Sequence, residues 1–188
     1  MAAIRFSIGP CGKFESRALG FIAEGGKGFN VTVPFKREAC QLVQSRSPLA
    51  ERAGAVNTVI VEEDGRLRGD NTDGPGLAFD LVHNLGWEIS GVQVLVIGAG
   101  GAVAGIIESL LGEHPSGVVI ANRTLAKASS LASEFADLGK VTSSSLEALD
   151  RPFDLIINGT SAGLMNEIPE LAPVVIGLSL IAVVYIGL

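Results

Sequence analysis

After Gln93 the chain runs through four apolar residues, Val94 to Ile97, and then into a glycine cluster at Gly98, Gly100 and Gly101. A short apolar run bounded by turn residues predicts a strand covered on both faces, as in a parallel sheet. The apolar positions that follow, Ile106, Ile107 and Leu110, return at helical spacing. Gly117 to Ala121 predicts a second buried strand, Leu125 to Ala136 a helix, and Phe153 to Asn158 a third strand. Strand, glycine turn, helix, strand, helix, strand is a βαβαβ unit, which closes as a parallel sheet.

The first half is patterned differently. Phe14 to Glu24 has helical spacing through Phe14, Leu19, Phe21 and Ile22, and Gly25-Gly26 ends it. Gly28 to Pro34 alternates as a strand, and Lys36 to Gln44 reads as a short helix. Thr58 to Arg68 predicts a hairpin with Asp64-Gly65 as a two-residue turn. Gly74 to Leu85 regains helical period through Leu77, Phe79, Leu81 and Val82, and Gly86-Trp87 breaks it. The fold class expected is α/β in two lobes, residues 1–88 and 89–188, the second with a Rossmann-like parallel sheet.

Composition narrows the function. A net charge of −6 and an aromatic content of 5% argue against nucleic acid, which wants basic surface and stacking platforms. Glycine is abundant, 24 of 188 residues, with no repeat to absorb it, so the glycines mark turns and close backbone approaches. Cys11 and Cys40 fit neither a CxxC nor a zinc spacing, so no metal site is expected. MAAIRFSIGP lacks a long apolar stretch, so no secretory signal is expected and a reduced cytoplasmic setting is the default. Leu171 to Leu188 is 18 residues without a charge, at the short edge of a membrane span. A loop followed by a buried parallel strand gives the same pattern, and Pro173 and Gly177 interrupt the run, so a strand is favoured over a tail anchor.

The chemistry starts at the glycine turn. Gly98 and Gly100 follow a strand and open a helix, where bare backbone admits a pyrophosphate to the helix N-terminus. The third position of GxGxxG is Val103. At the end of the next strand an NAD enzyme carries an acid for the ribose hydroxyls. This chain has Asn122-Arg123-Thr124 with Lys127 behind it, cations that suit a 2′-phosphate, and NADP is preferred over NAD. Cations at a helix start are unfavourable without an anion, which weighs against reading them as plain surface. In the first lobe, Lys36 follows Pro34, and Asp73 precedes a helix. Taken singly, Lys36 reads as a surface charge and Asp73 as a helix cap.

Together these segments resemble a known family. NVTVPFK (30–36), AGAVNT (53–58), GDNTDG (69–74), GAGGA (98–102), ANRT (121–124) and NGTSAGL (158–164) occur in the order and near the spacing of shikimate dehydrogenases, over roughly Ala18 to Tyr185. The resemblance implies two lobes around a cleft, residues 1–88 as an incomplete α/β substrate lobe and 89–188 as a Rossmann-like parallel-sheet lobe that binds NADP. It implies NADP-dependent, reversible oxidation of shikimate to 3-dehydroshikimate, on the route to chorismate and the aromatic amino acids. Lys36 matches the catalytic lysine and Asp73 its partner. Thr32, Asn57 and Tyr185 match residues at the substrate. Gly98, Ala99, Gly100, Gly101 and Ala102 match the pyrophosphate turn. Asn122, Arg123, Thr124 and Lys127 match the clamp on the adenine-side ribose phosphate, and Thr160 and Ala162 lie on a second loop beside the cofactor. Burial eases loss of a lysine proton and an adjacent carboxylate orients the amine, which is the chemistry a secondary alcohol needs.

The sequence also departs from the family. The strand and helix that open the family's first lobe are missing, and with them a Ser-x-Ser pair for the substrate carboxylate; Ser7 does not replace it. The final helices, with a substrate-binding glutamine, are missing as well. Ala182 and Ala104 replace an acid and a base that are usual there. Each lost charge-assisted contact weakens substrate binding by about 1.5–3 kcal/mol. A catalytically impaired NADP-binding remnant of the family is therefore the alternative to an active dehydrogenase, and a tail-anchored protein is a more distant one. The first lobe, lacking sheet, is expected to be less robust than residues 89–170. No oligomeric state follows from the sequence.

Overall fold

The computed structural model describes residues 13–160 and 171–176, and the backbone of 180–182. In the second half, strands β5 (Gln93–Ile97), β6 (Gly117–Ala121), β7 (Val141–Ser144), β8 (Leu155–Asn158) and β9 (Leu180–Ala182) form a five-stranded sheet of order β7-β6-β5-β8-β9. All its pairings are parallel, with Val94 opposite Val118 and Leu155. Helix α5 (Gly101–Gly112) links β5 to β6 and α6 (Leu125–Glu134) links β6 to β7. One sheet face buries Val94, Val96, Val118, Ile120 and Ile157 against Val103, Ile106, Ile107 and Leu110 of α5. The other buries Leu95, Ile97, Val119 and Ile156 against Phe153 and Val175. Each such Val, Leu or Ile contributes about 1.5–3 kcal/mol when fully covered, which explains why the central strands carry no polar residue between their ends.

The first half holds α1 (Phe14–Ala23), β1 (Gly28–Asn30), α2 (Lys36–Leu42), β2 (Ser45–Arg46), α3 (Pro48–Ala53), β3 (Thr58–Val61), β4 (Leu67–Asp70) and α4 (Asp73–Phe79). A π-helical turn, Asp80–Asn84, extends α4. Its sheet has the order β1-β3-β4-β2, antiparallel except for β2 beside β4. The core beneath it is small: Val31, Ala39, Val43, Val56, Val59 and Leu67. The fold is α/β with a Rossmann-like parallel sheet.

Two local expectations need correction, and two elements were not expected from the sequence. The strand expected over 28–34 stops at Asn30, because the chain turns at Thr32–Phe35, where the Phe35 N–H donates to the Thr32 carbonyl at 2.9 Å. The hairpin turn is wider than two residues. Glu62 N–H donates to Arg66 O and Gly65 N–H to Glu62 O, each at 2.9 Å, with Gly65 at φ +82° in the left-handed region that glycine tolerates. Strand β7 is unannounced by its VTSS sequence because an edge strand needs little apolar content. Helix α3 is too short for a periodic signal, yet its ends are marked: Ser47 at the N-cap, Pro48 at the first position and Gly54 left-handed at the C-terminus.

Ser47 Oγ accepts from Ala50 N–H at 3.2 Å and donates to Asp70 Oδ1 at 2.6 Å. We expect Ser47→Ala to lower stability by about 1–2 kcal/mol, read from denaturant midpoints at unchanged slope. In the apolar C-terminal run, α7 (Pro173–Ile176) precedes β9, which pairs in parallel with β8. Among the described residues no helix is long and apolar enough to cross a membrane.

The two sheets meet through helices. Ala53, Ala55, Leu81 and Ile89 pack into the core around α5. Gly74 of α4 and Gly105 of α5 bring the two backbones together: a Cβ on Gly74 would stand 2.5 Å from the Gly105 carbonyl oxygen. On the outer side Arg52 of α3 reaches Glu108 of α5 at 3.5 Å and Asp137 at 2.9 Å.

Candidate active site

Lys36 opens α2, directly after the Thr32–Phe35 turn, and its side chain turns inward. The residue is only 3% exposed, so it is not a surface charge. Its Nζ donates to Asp73 Oδ2 at 2.7 Å, an ion pair whose side chains are 4% and 11% exposed. Asp73 is the first residue of α4, and Thr72 before it makes no side-chain cap. The Asp73 carboxylate therefore does not cap the helix; both its oxygens are engaged inward. Oδ1 accepts from Asn57 Nδ2 at 2.8 Å. Asn57 also donates to Thr72 Oγ1 at 3.0 Å, while its Oδ1 accepts from Thr72 N–H at 3.0 Å and Thr58 Oγ1 at 2.9 Å. A buried pair is stable only when its remaining lone pairs are satisfied, and Asn57 supplies that.

Thr32 is exposed at the mouth of the turn before Lys36. Ala162 and Tyr185, also singled out from the sequence, lie outside the described residues.

The glycine turn approaches the segments that carry Lys36 and Asn57. Gly98 leaves β5 at φ +113°, and a Cβ there would meet Gly159 O and Val103 Cγ2, both at 3.2 Å. A side chain at Gly98 is thus excluded on both counts. Gly100 is the N-cap of α5, and no side chain caps that helix. Its first N–H groups point out of the helix end with the positive end of the dipole behind them. A methyl built on Gly101 would stand 3.5 Å from Ala55 Cβ and 3.9 Å from Arg37 Cγ. The turn over Gly98–Ala102 therefore touches the neighbours of both Asn57 and Lys36.

Beyond the end of β6, Asn122 Nδ2 donates to the Thr124 carbonyl at 3.0 Å, shaping the start of α6. Arg123 and Lys127 are exposed there and have no ion-pair partner among the described residues. Beyond β8, Thr160 donates through N–H at 3.1 Å and Oγ1 at 2.7 Å to Asn158 Oδ1. Asn158 is buried, and among the described residues its Nδ2 has no partner. An uncapped helix, a glycine cradle, two unpaired cations and an orphaned amide along one strand-end edge suit an anionic dinucleotide.

Comparison with known proteins agrees with this geometry. The family model described as the shikimate dehydrogenase substrate binding domain matches residues 5–59, and the one described as shikimate / quinate 5-dehydrogenase matches residues 80–166. The chain belongs to the shikimate dehydrogenase family. It is 54% identical over 160 residues to the shikimate dehydrogenase (NADP(+)) of Cellvibrio japonicus, covering 85% of this chain and 58% of that protein. With the corresponding protein of Alkalilimnicola ehrlichii it shares 56% over 162 residues, 86% of this chain and 60% of the relative. The crystal structure of shikimate dehydrogenase from Aquifex aeolicus superposes with a TM-score of 0.76 at 33% identity, covering 92% of this chain and 63% of that one. The chain thus spans about three fifths of the length of these shikimate dehydrogenases.

One residue of the site and one outside it were not singled out from the sequence. Asn71 sits inside GDNTDG and is 1% exposed; an Asn two residues before a helix-opening Asp was the available signal. Arg52 carried no local signal, because its partners lie more than fifty residues away.

Proposed function

We propose that the chain carries the machinery of an NADP-dependent shikimate dehydrogenase, with residues 1–88 holding the substrate and 89–188 the cofactor. The observation that carries this is the buried Lys36–Asp73 pair, tied to Asn57, with Ala55 and Arg37 of the same segments beside Gly101 of the glycine turn. When bound, NADP supplies the hydride acceptor for the alcohol carbon. Lys36 Nζ, once its ammonium has released a proton to solvent, would take the hydroxyl proton during oxidation and return it during reduction of 3-dehydroshikimate. Asp73 Oδ2 aims the amine, and Asn57 fixes the carboxylate by its other oxygen. Thr32, Asn57 and Tyr185 are assigned to the substrate. Gly98, Ala99, Gly100, Gly101 and Ala102 would hold the pyrophosphate through backbone N–H groups, and Asn122, Arg123, Thr124 and Lys127 would hold the 2′-phosphate. Thr160 and Ala162 are assigned to the cofactor.

The test is shikimate-dependent NADPH formation by the purified chain, measured beside NADPH binding by fluorescence. Turnover supports the dehydrogenase reading. Binding without turnover supports an NADP-binding remnant. Absence of both rejects the proposal. The cofactor preference has its own test: Arg123→Ala is expected to weaken NADP binding about ten- to a hundredfold while NAD binding changes little, since a charge-assisted contact to a phosphate contributes about 1.5–3 kcal/mol. Equal losses for both cofactors would overturn the 2′-phosphate assignment.

A further inference from the structure

Asn71 lies where three parts of the molecule meet. Its Nδ2 donates to the Ala55 carbonyl at 3.0 Å, in the loop that leads two residues later to Asn57. Its Oδ1 accepts from the Asp73 N–H at 3.1 Å, at the first residue of α4. The acceptor must face Asp73 and the donor Ala55, because a backbone N–H and a backbone carbonyl leave the amide one orientation. The third contact is with the cofactor-side helix. A Cβ on Gly105 would stand 2.7 Å from Asn71 Nδ2, 3.0 Å from Oδ1 and 3.2 Å from Cγ, so the amide lies flat against the second turn of α5. That helix begins at the glycine turn. No other side chain named in the site bonds to both loops that carry Asn57 and Asp73 while resting on α5.

We infer that Asn71 is a positioning residue that sets the Lys36–Asp73–Asn57 cluster in register with the helix of the pyrophosphate turn. Through the Asp73 N–H it fixes where the carboxylate, and hence the Lys36 amine, is aimed. Through the Ala55 carbonyl it fixes the loop from which Asn57 holds that same carboxylate. The contact with Gly105 makes these two placements one rigid relation to the cofactor side. The inference rests on the dehydrogenase reading for its catalytic consequence, but the geometry it asserts has a separate readout.

The experiment compares Asn71→Ala with Asn71→Ser in the full chain. Alanine removes both hydrogen bonds. Serine keeps a short acceptor for the Asp73 N–H, as in an ST-turn, and loses only the donor to Ala55. Competitive acetylation reports Lys36 against the exposed Lys127 by mass spectrometry. We expect relative labelling of Lys36 to rise about fivefold or more in the alanine variant and to stay within about twofold of native in the serine variant. We expect kcat to fall about thirtyfold in the alanine variant, with serine recovering most of it and NADPH affinity within about threefold in both.

A packing role alone would make the two variants alike, and that result overturns the inference. So does a loss of NADPH affinity that matches the loss of kcat, or unchanged Lys36 labelling in a folded alanine variant. Should the alanine variant not fold, amide exchange in the native protein decides: the Asp73 N–H is expected to be protected, and free exchange there overturns the inference. A native chain that binds NADPH without turning over shikimate rejects the dehydrogenase reading and leaves the labelling result to judge Asn71.

Discussion

Lys36→Met is expected to reduce kcat for shikimate oxidation by about a thousandfold, within the range removed with an acid–base group, while NADPH affinity changes less than about threefold. Methionine keeps the length and apolar stem of lysine, so the packing of a residue that is almost wholly buried is largely preserved. What disappears is the amine 2.7 Å from Asp73 Oδ2. The carboxylate then loses its cation but keeps Asn57 Nδ2 on Oδ1, so the loop geometry survives better than in a variant of Asp73, which leaves an uncompensated amine inside. Because the amine acts in the transition state rather than in cofactor binding, the loss falls on kcat and kcat/KM together. Turnover within tenfold of native, in a variant shown to be folded, would remove Lys36 from the proposed mechanism.

The parallel sheet was legible in the sequence because its central strands are buried on both faces and read as unbroken apolar runs. β5, β6 and the final residues of β8 fall where those runs are, and α5 begins at the glycine cluster. Less was legible in the first lobe. Its strands are two to four residues long, too short for an alternating signal, and β2 and α3 depend on contacts with β4 and on end caps rather than on periodicity. The site was readable only as a set. Lys36 alone matches a surface charge and Asp73 alone matches a cap, and neither fits what the fold does with them, because burial and pairing arise across 37 positions of chain. Asn71 and Arg52 escaped because most of their partners are distant in sequence: the pairing of β3 with β4 brings Ala55 to Asn71, and packing on α5 brings Gly105 to Asn71 and Glu108 to Arg52.

That docking is the most demanding feature of the fold, and glycine makes it possible. Gly105→Val is expected to destabilise the chain by about 3 kcal/mol or more, in the range of overpacking plus disrupted buried hydrogen bonds. Its first added atom alone would stand 2.7 Å from Asn71 Nδ2, which donates to the buried Ala55 carbonyl and cannot retreat without leaving it unsatisfied. On the α4 side the Gly105 carbonyl oxygen already lies where a Cβ on Gly74 would come within 2.5 Å, so the helices have no room to slide in compensation. At this chain length such a loss lowers Tm by about 6–12 °C. Gly112, the last residue of the same helix, separates this from general helix propensity: nothing lies within 4 Å of a Cβ there, and Gly112→Ala is expected to raise stability by about 0.5–1 kcal/mol. If Gly105→Val and Gly112→Ala moved Tm in the same direction, the close approach of α4 to α5 would not be what joins the two sheets. Wherever the approach does hold, the Lys36–Asp73 pair and the glycine turn are fixed relative to each other by helix backbone and not by flexible side chains.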